Sequence, residues 1–350
     1  MLLPVGMYSP NLRKWGTSFA ELYLCLNRVD FPARIYGGIA QLTIELARRN
    51  GRIVLIKIEG NAKINLTLDI LGKREDGYHE VSMVMQSVSL HDTLTLSKTR
   101  RDIFLKISVP WLRADERNLA WRAAALVKER CGVKGGVRIN LVKRIPVAAG
   151  LAGGSADAAA VLRGMDALYD LQLSEQELCE LGAELGSDIP FCITGGTQLA
   201  TGRGEVLRRL KGCPTAWIVL MKPRISVSTA WAYQHYDAEG AERHPDNLAF
   251  EQALEGGQLS ELPPLMCNVL ESVTVKEHGI IESYKEQMLE RGALAAMMSG
   301  SGPTVFGLVR TKTEALHLAN HLRRQNCEAE RQPDIFVART AGRGTRILHR

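Results

Sequence analysis

Two stretches of this sequence, far apart along the chain, carry residue types that together could move a phosphoryl group. The first is Pro146, Val147, Ala148, Ala149, Gly150, Leu151, Ala152, Gly153, Gly154, Ser155 and Ala156, with more alanines behind it. Its glycines let the main chain approach a ligand closely and turn successive N–H groups one way. The alanine-rich helix expected to follow adds its own unpaired N–H groups and the positive end of its dipole. The combination makes a seat for a polyphosphate. Ser155, at the junction, can cap the helix or offer its hydroxyl to a phosphate or to Mg²⁺. Composition alone equally allows a plain glycine turn with Ser155 as an ordinary N-cap. The run is neither G-x-x-x-x-G-K-[ST] nor G-x-G-x-x-G. No lysine follows the glycines, so positive charge facing a phosphate must come from elsewhere. Asp157, one turn from such phosphates, should repel them unless it points away, faces a cation, or simply favours the helix N-terminus.

The second is Ser187-Asp188-Ile189-Pro190-Phe191, which reads as an acid on a short turn leading from a helix into a strand. Phosphoryl transfer to an alcohol needs positioning, charge compensation and a carboxylate to accept the hydroxyl proton. Asp188 suits that task, although an aspartate after a helix is ordinarily a turn residue. Ala62-Lys63-Ile64-Asn65-Leu66 sets a lysine in an apolar, β-forming segment. Alternation sends Lys63, Asn65 and Thr67 to one face and Ile64, Leu66 and Leu68 to the other. On pattern alone the lysine face is open to water; buried, it would need a carboxylate partner.

Further candidates sit in loops. Gly72 to His79 is a charged loop closing with Tyr78 and His79, an aromatic face for stacking and an imidazole for a base edge. Asn118 reads as a helix cap. Met298 to Gly307 is a glycine turn between two strands.

The motifs, in this order along the chain, resemble those of the galactokinase, homoserine kinase and mevalonate kinase (GHMP) superfamily. Pro146 to Ala156 matches the ATP loop of that superfamily. The doubled glycine, the preceding Lys143-Arg144-Ile145 and above all Gly72-Lys73-Arg74-x-Asp76-Gly77-Tyr78-His79 resemble one branch, the 4-diphosphocytidyl-2-C-methyl-D-erythritol kinases. The resemblance covers roughly residues 56–339. It implies that Lys63 and Asp188 form the catalytic pair, with Asn65 beside the acceptor. It also implies that Tyr78 and a second aromatic in Val227 to Tyr233 sandwich a cytosine whose edge His79 reads. Tyr233 is the expected partner, Trp231 its rival, and Thr229 a further substrate contact. Asn118 falls near the adenine, and Met298 to Gly307 packs against the phosphate loop and the acceptor. The implied cofactors are ATP and Mg²⁺, and the implied product is phosphorylated on the 2-hydroxyl of the cytidine-linked alcohol. Rival readings are another GHMP kinase (mevalonate, homoserine or sugar type) or a catalytically silent member that binds nucleotide or RNA.

Positioning these groups takes elements that the pattern supplies in part. Strand signals fall at 53–59, 63–71, 94–96, 103–109, 137–141, 196–200, 217–221, 295–298, 304–309 and 335–339. Helices are expected at 118–131, from 154 to about 169, from the Ser174-x-x-Glu177 capping box to Gly186, at 279–291 and at 314–324. The implied fold is α/β in two domains. A ribosomal protein S5 domain 2-like half (53–215) carries the ATP loop, a ferredoxin-like half (216–340) follows, and 341–350 reads as a basic solvated tail. Residues 1–52 carry no motif and read as an extension or a start-site artefact. With 350 residues, 45% hydrophobic and 23% charged, the chain is an ordinary globular one, long enough for two cores. A net charge of +6 suits anionic small molecules without any nucleic-acid motif. Seven cysteines without a C-x-x-C pair read as reduced thiols, hence a cytoplasmic protein. No apolar run is long enough to span a membrane. The pattern leaves monomer and homodimer equally open.

Overall fold

The computed structural model describes residues 54–329 and 332–349; the segment read as an extension lies outside them. Aliphatic residues alternating with small polar ones build β1 (Leu55–Asn65) and β2 (Thr67–Lys73), which run one after the other along β3 (His79–Thr99). β3 is 21 residues long, and only its 94–96 portion is expected from the sequence. Ser82, Gln86, Ser87, His91 and Asp92 interrupt its apolar pattern. It is nevertheless the spine of the sheet, paired along both edges. One edge carries β1 and β2; the other carries β5 (Gly136–Val142) and β6 (Thr197–Thr201). β4 (Phe104–Ile107) extends β5, and β7 (Val206–Arg209) extends β6.

On this sheet lie α1 (Leu119–Arg130) and α2 (Gly153–Tyr169), with α3 (Glu175–Leu185) and the short α4 (Ile189–Thr194) beside them. The alanines of α2 have a packing reason. Gly60 of β1 lies so near the helix that a Cβ there would stand 2.4 Å from the Ala156 carbonyl oxygen. Only small residues let strand and helix backbones approach that far. The expected capping box opens α3, with Ser174 and Glu177 satisfying each other's main-chain N–H groups.

The second layer begins at β8 (Trp217–Lys222). With β10 (Ala295–Met298), β11 (Val305–Val309) and β12 (Asp334–Arg339) it forms an antiparallel sheet in the order β10-β11-β8-β12. α5 (Thr229–Glu239), α6 (Asn247–Gly256), α7 (Glu271–Glu277) and α8 (Ile280–Glu290) fall between β8 and β10, and α9 (Lys312–Gln325) between β11 and β12. α8 and α9 cover the sheet. A β-α-β-β-α-β order with these pairings is the ferredoxin-like arrangement that the resemblance implies. β9 (Cys267–Asn268) leaves this half to pair in parallel with β2.

The reading of 341–350 as a solvated tail is corrected. Thr345–His349 form β13, antiparallel to β1 at Lys57–Gly60. Its outward side chains are exposed, as the basic composition suggests, but what fixes it is main-chain pairing, which side-chain types do not announce. Gly344 fits against α4 so tightly that a Cβ would stand 2.0 Å from the Cys192 carbonyl oxygen.

Candidate active site

Lys63 lies near the end of β1, just past a bulge between Asn61 and Lys63 that breaks the regular pairing with β3. Bulges of this kind re-aim side chains. Both faces of the strand are buried here: Lys63, Asn65 and Thr67 are as enclosed as Ile64 and Leu66. Alternation alone would leave this face open to water; instead it is covered, with Asn65, Asp188 and the glycine loop against Lys63. The buried ammonium has the partners its cost demands. It donates to Asn65 Oδ1 at 2.8 Å and lies 3.6 Å from Asp188 Oδ2. The Asn65 amide nitrogen in turn meets Met83 Sδ at 3.1 Å.

Asp188 stands before α4 and not on a turn into a strand. The sequence Ile189-Pro190-Phe191-Cys192-Ile193 is apolar enough to resemble a buried strand, yet Pro190 in the first turn and burial against the core make it a helix. Asp188 occupies the N-cap position, but its side chain makes no capping hydrogen bond. The carboxylate is about one-third exposed, and Lys63 is its ion-pair partner. It thus faces the cleft with its acceptor capacity largely unspent.

The glycine loop passes directly in front of this pair: the Lys63 N–H donates to the Leu151 carbonyl at 3.2 Å. Ala148, Gly150 and Ala152 have φ of 50°, 72° and 55°. Such left-handed residues among ordinary ones curl consecutive N–H groups into an anion-binding nest. For the two alanines it costs on the order of 1–3 kcal/mol each, strain of the kind that collects at ligand sites. Ala152, not Ser155, stands at the N-cap of α2, without a side-chain cap. Ser155 lies inside the first turn, so its capping role is corrected and its hydroxyl is left to the cleft. The third glycine motif buttresses the loop. Ser299 Oγ donates to the Gly150 carbonyl at 3.0 Å, and Asn268 Nδ2 ties down the Met298 and Gly300 carbonyls at 2.9 and 2.8 Å. A Cβ on Gly150 would stand 2.1 Å from the Ser299 carbonyl oxygen.

Asp157 is buried in the second turn of α2. It accepts from Lys143 Nζ at 2.7 Å, and the same ammonium reaches Asp92 at 2.5 Å. Asp92 also accepts the Arg144 and Ile145 N–H groups, which anchors the start of the loop. Burial pushes the Asp157 carboxyl well above the usual carboxylate range, with Lys143 only partly offsetting it. Burial opposes the charge on Lys143, yet Asp157 and Asp92 hold its pKa above the ordinary value. Lys143 lies directly behind the loop, held between Asp92 and Asp157: a Cβ on Gly153 would lie 3.3 Å from its Nζ. In the sequence Lys143 stands in the Lys143-Arg144-Ile145 run with no role of its own. Its position three residues before Pro146 was the available signal.

One cleft of about 1080 Å³ joins these groups. Lys63, Asp188, Ser155, Asn118 and the loop from Pro146 to Gly154 line it, apart from Leu151. Leu151 and Ala156 are core residues behind the loop, and Asn65 is fully buried beside Lys63. Asn118 is the N-cap of α1, accepting from the Ala120 N–H at 2.9 Å. The same cleft takes in Tyr78, His79, Thr229 and Tyr233. Tyr78 is 56% exposed, with the Arg203 guanidinium 5.1 Å from its ring centroid. Tyr233 projects from α5, which Ser228 caps, and its ring centroid is 4.9 Å from that of His79. Burial, with Asp188 adding, raises the pKa of its hydroxyl. Trp231 packs instead on His235 and His278, away from the cleft lining. Thr229 Oγ1 and Ser301 Oγ are 3.0 Å apart, linking α5 to the third motif.

Two family patterns match the chain: "GHMP kinases N terminal domain" over residues 118–196 and "GHMP kinases C terminal" over residues 249–329. A 4-diphosphocytidyl-2-C-methyl-D-erythritol kinase of Macrococcus caseolyticus is 51% identical over 263 residues, 75% of this chain and 93% of the relative. One of Bacillus pumilus is 50% identical over 263 residues, 75% of this chain and 91% of that protein. A crystal structure of 4-(cytidine 5'-diphospho)-2C-methyl-D-erythritol kinase superposes with a TM-score of 0.69 at 33% identity, covering 82% of this chain and 99% of the other.

Proposed function

We propose, for a chain that belongs to the 4-diphosphocytidyl-2-C-methyl-D-erythritol kinases within the GHMP kinases, transfer of the γ-phosphoryl group of ATP to the 2-hydroxyl of 4-diphosphocytidyl-2-C-methyl-D-erythritol, a step of non-mevalonate isoprenoid biosynthesis. The observation that carries the chemistry is the pairing of buried Lys63 with the partly exposed Asp188, 3.6 Å apart, in a cleft shared with the glycine loop. Asp188 accepts the proton of the attacking hydroxyl. Lys63 orients that carboxylate and steadies the oxygen as its charge develops. The nest and the N-terminus of α2 hold the phosphates, and Lys143 beneath them supplies charge. Asn118 falls on the adenine side.

Mg²⁺ accompanies ATP in such reactions and neutralises charge between the phosphates. The donors fit a hard cation: Ser155 offers its hydroxyl to the cleft, and buried Asp157 Oδ1 has no hydrogen-bond partner among the described residues. At the acceptor end, Tyr78 and Tyr233 flank the cytosine and His79 reads its edge, with Thr229 nearby.

The test is ADP release by the purified protein on addition of the cytidylylated alcohol, with mevalonate and homoserine as comparison acceptors. Turnover is expected with the first alone. ADP release without any acceptor, or equal rates on all three, overturns the proposal.

A further inference from the structure

Asp237 has no role in the site as read from sequence. It stands on α5 four residues after Tyr233, on the same helix face, and it too lines the cleft. Its Oδ1 is 2.6 Å from His79 Nε2, and its Oδ2 accepts from Lys73 Nζ at 3.0 Å. The hydrogen bond to His79, then that to Lys73, holds the Asp237 carboxyl below its ordinary range. It is ionised at neutral pH and can only accept.

For a neutral imidazole that geometry fixes where the hydrogen sits. A neutral histidine has one N–H, and the ring nitrogen facing a carboxylate must be the one that carries it. Nδ1 is then a bare lone pair, and among the described residues it has no other hydrogen bond. Tyr233 packs on the ring at a 42° tilt and fixes its plane. A bare lone pair beside a pyrimidine distinguishes two bases of the same shape. Cytosine presents an amino group at C4 and donates; uracil presents a carbonyl there and opposes lone pair with lone pair.

We propose that Asp237, steadied by Lys73, is a positioning residue that fixes the Nε2–H tautomer of His79 and so makes the site select cytidine-linked over uridine-linked substrates. The inference rests on the function proposed above. In Asp237→Asn the amide can donate to Nε2 as well as accept from it, so the tautomer is released. The ratio of kcat/KM for the cytidine-linked alcohol to that for its uridine counterpart should fall by about five- to 150-fold, the range for one unpaired polar edge. The KM for ATP should hold, and Asp237→Glu should restore part of the selectivity. Imidazole ¹⁵N shifts of the full chain, assigned with His79→Gln, should show Nε2–H in the parent and mixed tautomers in Asp237→Asn. Nδ1–H in the parent overturns the proposal whether or not any variant folds. So does unchanged selectivity in a folded Asp237→Asn protein. A parent that releases no ADP with the cytidine-linked alcohol defeats the function reading instead, and the ¹⁵N spectrum still tests the tautomer.

Discussion

The proposed phosphate nest and the proposed base pocket share one cleft but are made of different material. The nest is main chain: left-handed alanines and glycine, carbonyls pinned by Ser299 and Asn268, and a helix start pressed against β1. The other region is side chain: Tyr78 and Lys73 largely exposed, His79 and Tyr233 packed at a 42° tilt, Asp237 joining the ends of β2 and β3 to a helix. Phosphates are common to many substrates, and N–H groups recognise them without reference to side-chain identity. A base must be told from its isosteres, which takes donors and acceptors that can be exchanged one at a time. On this division, substitutions near the nest should damage all turnover. Those in the base pocket should mainly change what is accepted.

The largest effect belongs to Lys63 and Asp188, the proposed catalytic pair. Asp188→Asn and Lys63→Ala should each lower kcat by about 100- to 10,000-fold while ATP still binds. Near-parental kcat in a folded variant would remove the pair from the chemistry. Next is Gly150→Ala. Its Cβ has no room before the Ser299 carbonyl, and the backbone there is left-handed. Displacing the nest by even an ångström should cost on the order of 100-fold in kcat/KM for ATP. An unchanged ATP KM would mean that the loop does not hold the phosphates. Tyr78→Ala or Tyr233→Ala should raise KM for the cytidylylated substrate by roughly five- to 150-fold, as expected for one stacking partner, and leave the ATP KM alone. If ATP and acceptor suffer equally, the division between the two regions is wrong. The smallest change is Lys73→Met. Its ion pair with Asp237 is exposed, with 62% of the lysine side chain accessible, so kcat/KM should move less than about five-fold. A loss of two orders of magnitude would mean that Lys73 touches the diphosphate.

The two regions were also unequally legible in the sequence. Three glycines in five residues ahead of an alanine-rich helix signal a close-approaching turn from local rules alone, and the helix starts at Gly153, beside the expected residue 154. The burial of Lys63 could not be read locally. Alternation describes one strand, whereas the cover over the lysine face comes from residues more than a hundred positions away. Asp188 looked like a turn because Ile189 to Ile193 has the composition of a strand; only its tertiary setting makes it a helix. Tyr78 and Tyr233 came from the resemblance, since a loop tyrosine carries no local mark of function. Asp237 was within reach, four residues from Tyr233 on one helix, but its meaning depends on His79, which is 158 positions away. β3 escaped because residues 83–88 are buried on both faces, and a strand covered on both faces needs no clean alternation.

β13 closes against the strand of Lys63 and the helix that follows Asp188, through contacts such as that of Asn61 with the Arg343 carbonyl, 282 positions apart. Closing so long a loop is slow, because its entropy must be lost before the pairing returns any stabilisation. During synthesis, residues 343–349 leave the ribosome long after Lys63 and Asp188, so a nascent chain can hold a formed glycine loop while that aspartate and that lysine are still unbraced. In refolding from denaturant, recovery of turnover should lag behind recovery of helical signal, and the delay should be set by the arrival of this strand.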